Sequence, residues 1–148
     1  MPIYMKYDGI NGSVTKCHYE KWIELESCQF GAYRNITSAT GQPANREANA
    51  PSISEIVVTK FLDTSSTGLQ REALTGDGKK VTIAFVQSNG ADFEYLKIEL
   101  ENTLISSYNI SGHGGVSHDR PMESLSLNFT KITYTKGTES TARSACKP

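Results

Sequence analysis

The run Glu94-Tyr95-Leu96-Lys97-Ile98-Glu99-Leu100-Glu101 decides the fold class, together with Thr103-Leu104-Ile105-Ser106-Ser107-Tyr108 and Arg120-Pro121-Met122-Glu123-Ser124-Leu125-Ser126-Leu127-Asn128-Phe129. Apolar and polar residues alternate through these stretches, the period-two signature of a strand with one buried face. Leu96, Ile98 and Leu100 face inward, and Tyr95, Lys97, Glu99 and Glu101 face out. Leu125, Leu127 and Phe129 build the inward face of a long final strand. After Thr130 the apolar phase moves to Ile132 and Tyr134, as expected of a strand that bends from one sheet into another. Upstream, Val81, Ile83 and Phe85 alternate with Thr82, Ala84 and Val86, and Ser88-Asn89-Gly90 supplies a turn, so a hairpin is expected, with residues 103–111 returning as a third strand.

Working toward the N-terminus, Asp63-Thr64-Ser65-Ser66 offers capping oxygens before Leu69 and Ala73, which share a helix face at i and i+4. A short helix from about Ser65 to Thr75 is expected, with Gly76 placed as its left-handed C′ residue. Residues 56–62 form a continuous β-branched strand. Residues 31–54 lose all apolar periodicity and carry Pro43 and Pro51, which reads as a long structureless loop and a first contact surface. Residues 22–30 read as a strand that buries Ile23 and Leu25 first and the Cys28 and Phe30 side later, which calls for a bulge or strong twist near Ser27. Residues 3–8 read as a first strand. Seven or eight short strands with one small helix imply a mainly β fold, two packed antiparallel sheets forming a β-barrel or sandwich. One domain is expected over residues 1–136, followed by a flexible polar tail over residues 137–148.

A chain of 148 residues is long enough to bury one core without metal or disulfide help. With 15 basic and 16 acidic residues, and a formal net charge of −1, no field points to nucleic acid or an anionic membrane as the main partner. No Sec-type leader is legible at the start, and no run of 18 apolar residues occurs. Three cysteines, Cys17, Cys28 and Cys146, argue against a disulfide framework and for a reducing cytoplasm, while a Cys17 to Cys28 bridge stays open.

No catalytic constellation emerges. Cys17 and His18, as neighbours on a strand, would point to opposite faces, the wrong geometry for a nucleophile and its base. His113 and His118 with Cys17 and Cys28 match no zinc-site spacing. Gly112-His113-Gly114-Gly115 has no Gly-x-Ser-x-Gly elbow to serve as an oxyanion loop, and neither a Walker loop nor a dinucleotide fingerprint occurs. Neither an enzymatic activity nor a cofactor is expected. The acidic residues Glu94, Glu99 and Glu101 read as the solvated face of a strand.

The Glu-Tyr-Leu-Lys-Ile run, the Leu-Ile-Ser-Ser return, the Gly-rich loop and Asp119-Arg120-Pro121 before Glu-Ser-Leu-Ser-Leu-Asn-Phe together resemble the Hcp proteins, tube subunits of the bacterial type VI secretion system. Ile23-Glu24-Leu25 with Phe30-Gly31, and Thr59-Lys60-Phe61-Leu62-Asp63, are similar to further family segments. Residues 31–54 are less Gly-rich than in familiar members, and Cys28 stands where an aromatic is common. The resemblance implies a β-barrel with one helix at its side, six copies closing into a ring, rings that stack, and a lumen that can carry small effectors. It implies synthesis in the bacterial cytoplasm without a signal peptide, export by type VI secretion, and the sheath, spike and baseplate as partners, with neither nucleic acid nor membrane insertion. By the same likeness, residues 31–54 correspond to the loop that contacts the next ring, with Arg34, Arg46 and Glu47 its charged members, and Gln29 faces the lumen. Two other readings predict different behaviour: a monomeric β-sandwich binding glycan or protein through exposed Tyr7, Tyr33, Tyr95 and Tyr108, and a small hydrolase using Cys17 or Cys28.

Overall fold

A computed structural model describes residues 1–34, 36–38, 46–48, 52–87, 93–115 and 120–137, with the backbone alone for 36–38 and 46–48. The strands in chain order are β1 (Ile3–Tyr7), β2 (Ile23–Leu25), β3 (Ser27–Gln29), β4 (Ala32–Tyr33), β5 (Ile36–Ser38), β6 (Arg46–Ala48), β7 (Ser52–Ile53) and β8 (Ile56–Phe61). Helix α1 (Ser66–Thr75) follows, then β9 (Lys79–Gln87), β10 (Phe93–Ser111), β11 (Met122–Asn128) and β12 (Lys131–Lys136).

The expected hairpin forms, β9 pairing antiparallel with β10, but its second strand and the return strand are one element. β10 runs unbroken for 19 residues and belongs to two sheets. Its first half pairs with β9 and β12, and its second half with β11. The corner lies at Asn102, whose φ of +53 falls in the left-handed region that asparagine tolerates better than most residues. Register shifts between Leu100 and Thr103, and again between Ile105 and Ser107, turn the strand from one sheet into the other, as bulges do at the corners of packed sheets. The change of sheet expected after Thr130 also occurs, but as a break: β11 ends at Asn128 and β12 begins at Lys131. The same device accounts for the phase change near Ser27, because β2 lies in the first sheet, β3 in the second, and Glu26 bridges them through its N–H to the Thr59 carbonyl at 2.7 Å.

The strand order is β2-β1-β9-β10-β11-β8-β3, with β12 on the free side of β10. The path stays open, so the fold is a sandwich rather than a closed barrel. Between the sheets lie Ile23, Ile56, Val58, Val81, Ile83, Ile98, Leu100, Leu125 and Leu127, all fully buried, and each aliphatic side chain so buried contributes about 1.5–3 kcal/mol of transfer free energy. Leu69 of α1 is fully buried in the same core and Ala73 packs against it, as their spacing predicts. Gly76 is not left-handed. Its φ of −71 is extended, and it is needed there because a Cβ would strike the Glu72 carbonyl and carboxylate.

The outer face of the first sheet is covered as well. Residues 8–22 form a strap, fastened by Asp8 N–H to the Lys80 carbonyl at 3.1 Å and Gly12 N–H to the Lys21 carbonyl at 2.7 Å. Beneath it Tyr4, Tyr19, Ala84 and Val86 form a second buried cluster, with Val14 and Trp22 packed against it. The Tyr19 hydroxyl donates to Glu94 at 2.7 Å, so Glu94 anchors the strap rather than simply meeting solvent.

Residues 31–54 are not structureless over their described part. β4 pairs with β7 and β5 with β6, in a two-stranded arm that among the described residues makes no extended contact with either sheet. Of the tail, Gly137 donates its N–H to the Tyr95 carbonyl at 2.8 Å, and residues 138–148 lie outside the described residues.

Candidate functional site

The arm and the outer face of the second sheet are the two features that a solitary sandwich does not require. On that sheet the inward positions are Cys28, Val58, Leu125 and Tyr108, in register across β3, β8, β11 and β10. Alternation therefore sends their neighbours outward. One outward row is Ser27, Thr59, Ser124 and Asn109, and the next is Gln29, Val57, Ser126 and Ser107. Ser27 and Thr59 share a hydrogen bond of 2.5 Å. Neither row holds an ionisable side chain, so the face offers hydroxyls, amides and one valine. Gln29 is exposed within it. Ser106 and Asn128 hydrogen-bond the Glu55 carboxylate at the end from which the arm leaves.

On the arm, Arg34 is exposed and makes no ion pair among the described residues. Arg46 and Glu47 lie in β6, paired with Ser38 and Thr37, but their side chains lie outside the described residues. Tyr33 is 60% exposed and Ile53 46% exposed at the arm's base.

Sequence reasoning missed a third feature, an ionic cluster inside the sandwich. Lys60 Nζ donates to Glu123 Oε2 at 2.9 Å, Asp63 Oδ1 at 3.0 Å, Ser66 Oγ at 3.3 Å and the Phe61 carbonyl at 3.0 Å. Lys60 and Glu123 are wholly buried. Asp63 also accepts the Ser65 N–H at 2.8 Å and the Ser65 hydroxyl, so a carboxylate two residues upstream holds the helix start, and Ser65 makes no side-chain cap of its own. The parity of β8 and β11 carried the signal, since Lys60 shares a face with Ile56 and Val58, and Glu123 with Leu125 and Leu127.

The alternative chemistries lose their footing. Cys17 is disulfide-bonded, contrary to the cysteine reading, and so cannot be a nucleophilic thiolate. Cys28 is free, which excludes a Cys17 to Cys28 bridge. His18 sits in a turn of the strap with φ +72, not on a strand. Among the described residues no three His, Cys, Asp or Glu groups could hold a metal, and His118 lies outside them. Tyr7, expected as an exposed binding aromatic, is 1% exposed because its position on β1 faces the core. Tyr108 is half-buried beside Leu125. Tyr33 and Tyr95 are exposed on separate elements, the arm and the first sheet.

Burial pushes the Cys28 thiol from the usual 9.0 to about 11. A neutral-pH thiol reagent is therefore expected to label folded protein at Cys28 at least tenfold more slowly than urea-unfolded protein, and equal rates would show the thiol to be accessible. Burial, then the charge of Glu72, raises Tyr7 to about 12. Burial, then the carboxylate of Glu123, raises Tyr108 to about 12, although Glu123 Oε1 has no hydrogen-bond partner in the structure. All three groups are neutral when protonated and hold their protons more tightly folded than unfolded. Their contribution is complete below pH 9 and is lost as pH rises through about 11 to 12. Urea midpoints should fall steadily from pH 9 to 12, and a flat profile would contradict the assignment.

An open two-sheet sandwich with a two-stranded arm and two uncharged outward rows on its second sheet defines the class of a small, mainly β protein. The chain is a member of the Hcp family: the family described as type VI secretion system effector, Hcp, matches residues 4–135. A solved type six secretion system protein is 26% identical with a TM-score of 0.82, over 90% of this chain and 82% of that one. The Hcp1 protein of the E. coli EAEC 042 pathovar, in mutant form, shares the fold at 23% identity and TM-score 0.76, over 95% and 94% of the two chains. Hcp1 of Salmonella typhimurium does so at 21% and 0.73, over 91% and 85%. No curated protein sequence matches. The chain is thus a type VI secretion tube protein, of a secreted family.

Proposed function

We propose that this chain is a non-catalytic subunit of the type VI inner tube, six copies closing into a ring that stacks on others and is expelled by the contractile apparatus of sheath, spike and baseplate. Residues 1–136 are the assembly unit, exported by the type VI apparatus. The observation that carries the reading is the arm. An isolated two-stranded hairpin is marginally stable in water, and among the described residues this one leans on neither sheet, so a neighbouring copy is its natural support. The outer rows with Ser27, Gln29, Thr59 and Ser126 suit a lumen wall, because uncharged hydroxyls and amides let small effectors pass or lodge without strong ionic traps. A separate binding module is less well supported, since Tyr33 and Tyr95 stand on separate elements and Tyr7 is buried.

Light scattering after size exclusion tests the reading. Six copies of 16.2 kDa give about 97 kDa, and ring-shaped particles are expected at that mass. Replacing residues 33–52 by a short Gly-Ser link should leave single rings and abolish stacks. A monomer at every concentration would overturn the proposal.

A further inference from the structure

The partner of Cys17 follows from a count. The chain has three cysteines, Cys17, Cys28 and Cys146. Cys17 is disulfide-bonded and Cys28 is free, so Cys146 alone is left to hold it, although its own surroundings lie outside the described residues. The place where the chain leaves the sandwich supports the pairing independently. β12 ends at Lys136, paired with Leu96, and Gly137 donates its N–H to the Tyr95 carbonyl at 2.8 Å. Next to Tyr95, Glu94 accepts the hydroxyl of Tyr19, two residues from Cys17, at 2.7 Å. Glu94 and Gly137 also line one pocket with Lys97 and Thr135. The exit of the chain and the anchor of the strap thus share a wall. Cys146 stands nine residues beyond Gly137, a reach of about 30 Å when extended, so the span needs no movement of either sheet.

We infer that a disulfide between Cys17 and Cys146 ties the end of the chain to the strap as a redox-dependent clasp, open as two thiols in a reducing compartment and closed in an oxidising one. The strap is where such a link acts most. It is irregular, and two of its residues, His18 at φ +72 and Lys21 at φ +66, occupy the left-handed region that side chains of this kind rarely adopt. Such a segment opens more readily than the sheets. The link joins residues far apart in sequence, so it withdraws more freedom from the opened and unfolded chain than a short loop would. Cys17 is half-buried in a turn closed by the Tyr19 N–H to the Lys16 carbonyl at 2.9 Å, whereas Cys28 packs against the core on β3 and stands apart from the exchange. Closure is a thiol–disulfide exchange with a small-molecule disulfide. The thiolate of one cysteine attacks it, forming a mixed disulfide and releasing one thiol, and the thiolate of the other cysteine displaces the second. One S–S bond forms and one breaks, and two protons and two electrons pass to the oxidant. Resting on the secretion reading, newly made subunits carry the thiols and exported ones carry the clasp.

Peptide mapping tests it. The full chain is equilibrated with oxidised glutathione or with a dithiol reductant, alkylated in urea and digested with trypsin. The oxidised sample should yield residues 17–21 linked to residues 144–148, with Cys28 alkylated, and the reduced sample should yield all three cysteines alkylated. Oxidation should slow hydrogen exchange at the Gly12 and Lys21 amides of the strap roughly tenfold and leave Ile83 of β9 unchanged. Cys146→Ser should abolish that slowing. A link between Cys17 and Cys28, glutathione retained on Cys17, or free thiols after oxidation would each overturn the pairing. Equal exchange of the strap in both redox states would overturn the clasp. The linked peptide is read whatever the oligomeric state, so a wild-type monomer would remove the tube reading and leave the pairing standing, whereas rings without the linked peptide would remove the pairing alone.

Discussion

Lys60→Met is expected to cost about 3–5 kcal/mol of stability, measured as a shift of the urea midpoint followed by circular dichroism. The lysine is wholly buried between Glu123, itself wholly buried, and Asp63, whose side chain is 7% exposed. Methionine fills a similar volume, so the loss comes from charge rather than from a cavity. Removing the ammonium strands the Glu123 carboxylate, one of whose oxygens already lacks a hydrogen-bond partner, and takes from Ser66 and Asp63 the donor they share at the helix start. Because the penalty is an uncompensated charge, Lys60→Met with Glu123→Leu should recover more than half of the loss, even though two polar groups are then missing. A single substitution that shifts stability by less than about 0.5 kcal/mol, the range of an ordinary surface change, would show that water or protonation relieves the pair. A double variant no better than the single one would show that packing, not charge, sets the cost.

Burial of this pair is legible from parity alone, since both residues fall in line with aliphatic neighbours two positions away. The strands themselves are written plainly, because a half-buried sheet face demands period two and residues 81–86, 96–100 and 122–127 supply it. The corner of β10 is less legible. Glu101-Asn102 carries the polarity of a turn, and whether a chain reverses or merely bends there depends on which strands flank it, a matter of long-range pairing. The arm escapes notice for another reason. Its ladder joins residues such as Thr37 with Glu47 and Ser38 with Arg46, a sequence without apolar alternation, so hydrophobic periodicity is silent. The strap is the converse case. Val14, Tyr19 and Trp22 bury apolar surface from an irregular segment whose spacing has no period to detect. Alternation through residues 27–29 sets Cys28 and Gln29 on opposite faces of β3, with Gln29 exposed and Cys28 half-buried.

Gly12→Ala is expected to destabilise the strap by about 1–3 kcal/mol, the usual range for atoms forced into a closely packed site. A Cβ on residue 12 would meet the Trp22 carbonyl, with Trp22 C at 2.6 Å and Ile23 Cα at 2.8 Å. These are backbone atoms that cannot rotate aside, and Ile23 belongs to β2 in the core. The strap must lift, and it is held there by short bonds, Gly12 N–H to the Lys21 carbonyl at 2.7 Å and Lys21 N–H to the Val14 carbonyl at 2.8 Å. Trp22 is the sole tryptophan of the chain. It packs edge-on to Tyr19 at 5.0 Å between ring centroids, so it reports the outcome directly. Lifting the strap should red-shift its emission and expose Tyr4 and Val86, while the far-ultraviolet signal of the sheets stays near wild type. Gly114, with nothing within 4 Å of an added Cβ, supplies the control, and Gly114→Ala should change stability by no more than about 0.5 kcal/mol. If the red shift appears without loss of the sheet signal, the second cluster unfolds as a local unit above an intact sandwich. Loss of both signals together would mean that strap and core form one cooperative structure, and an unchanged spectrum with unchanged stability would refute the close approach at Gly12.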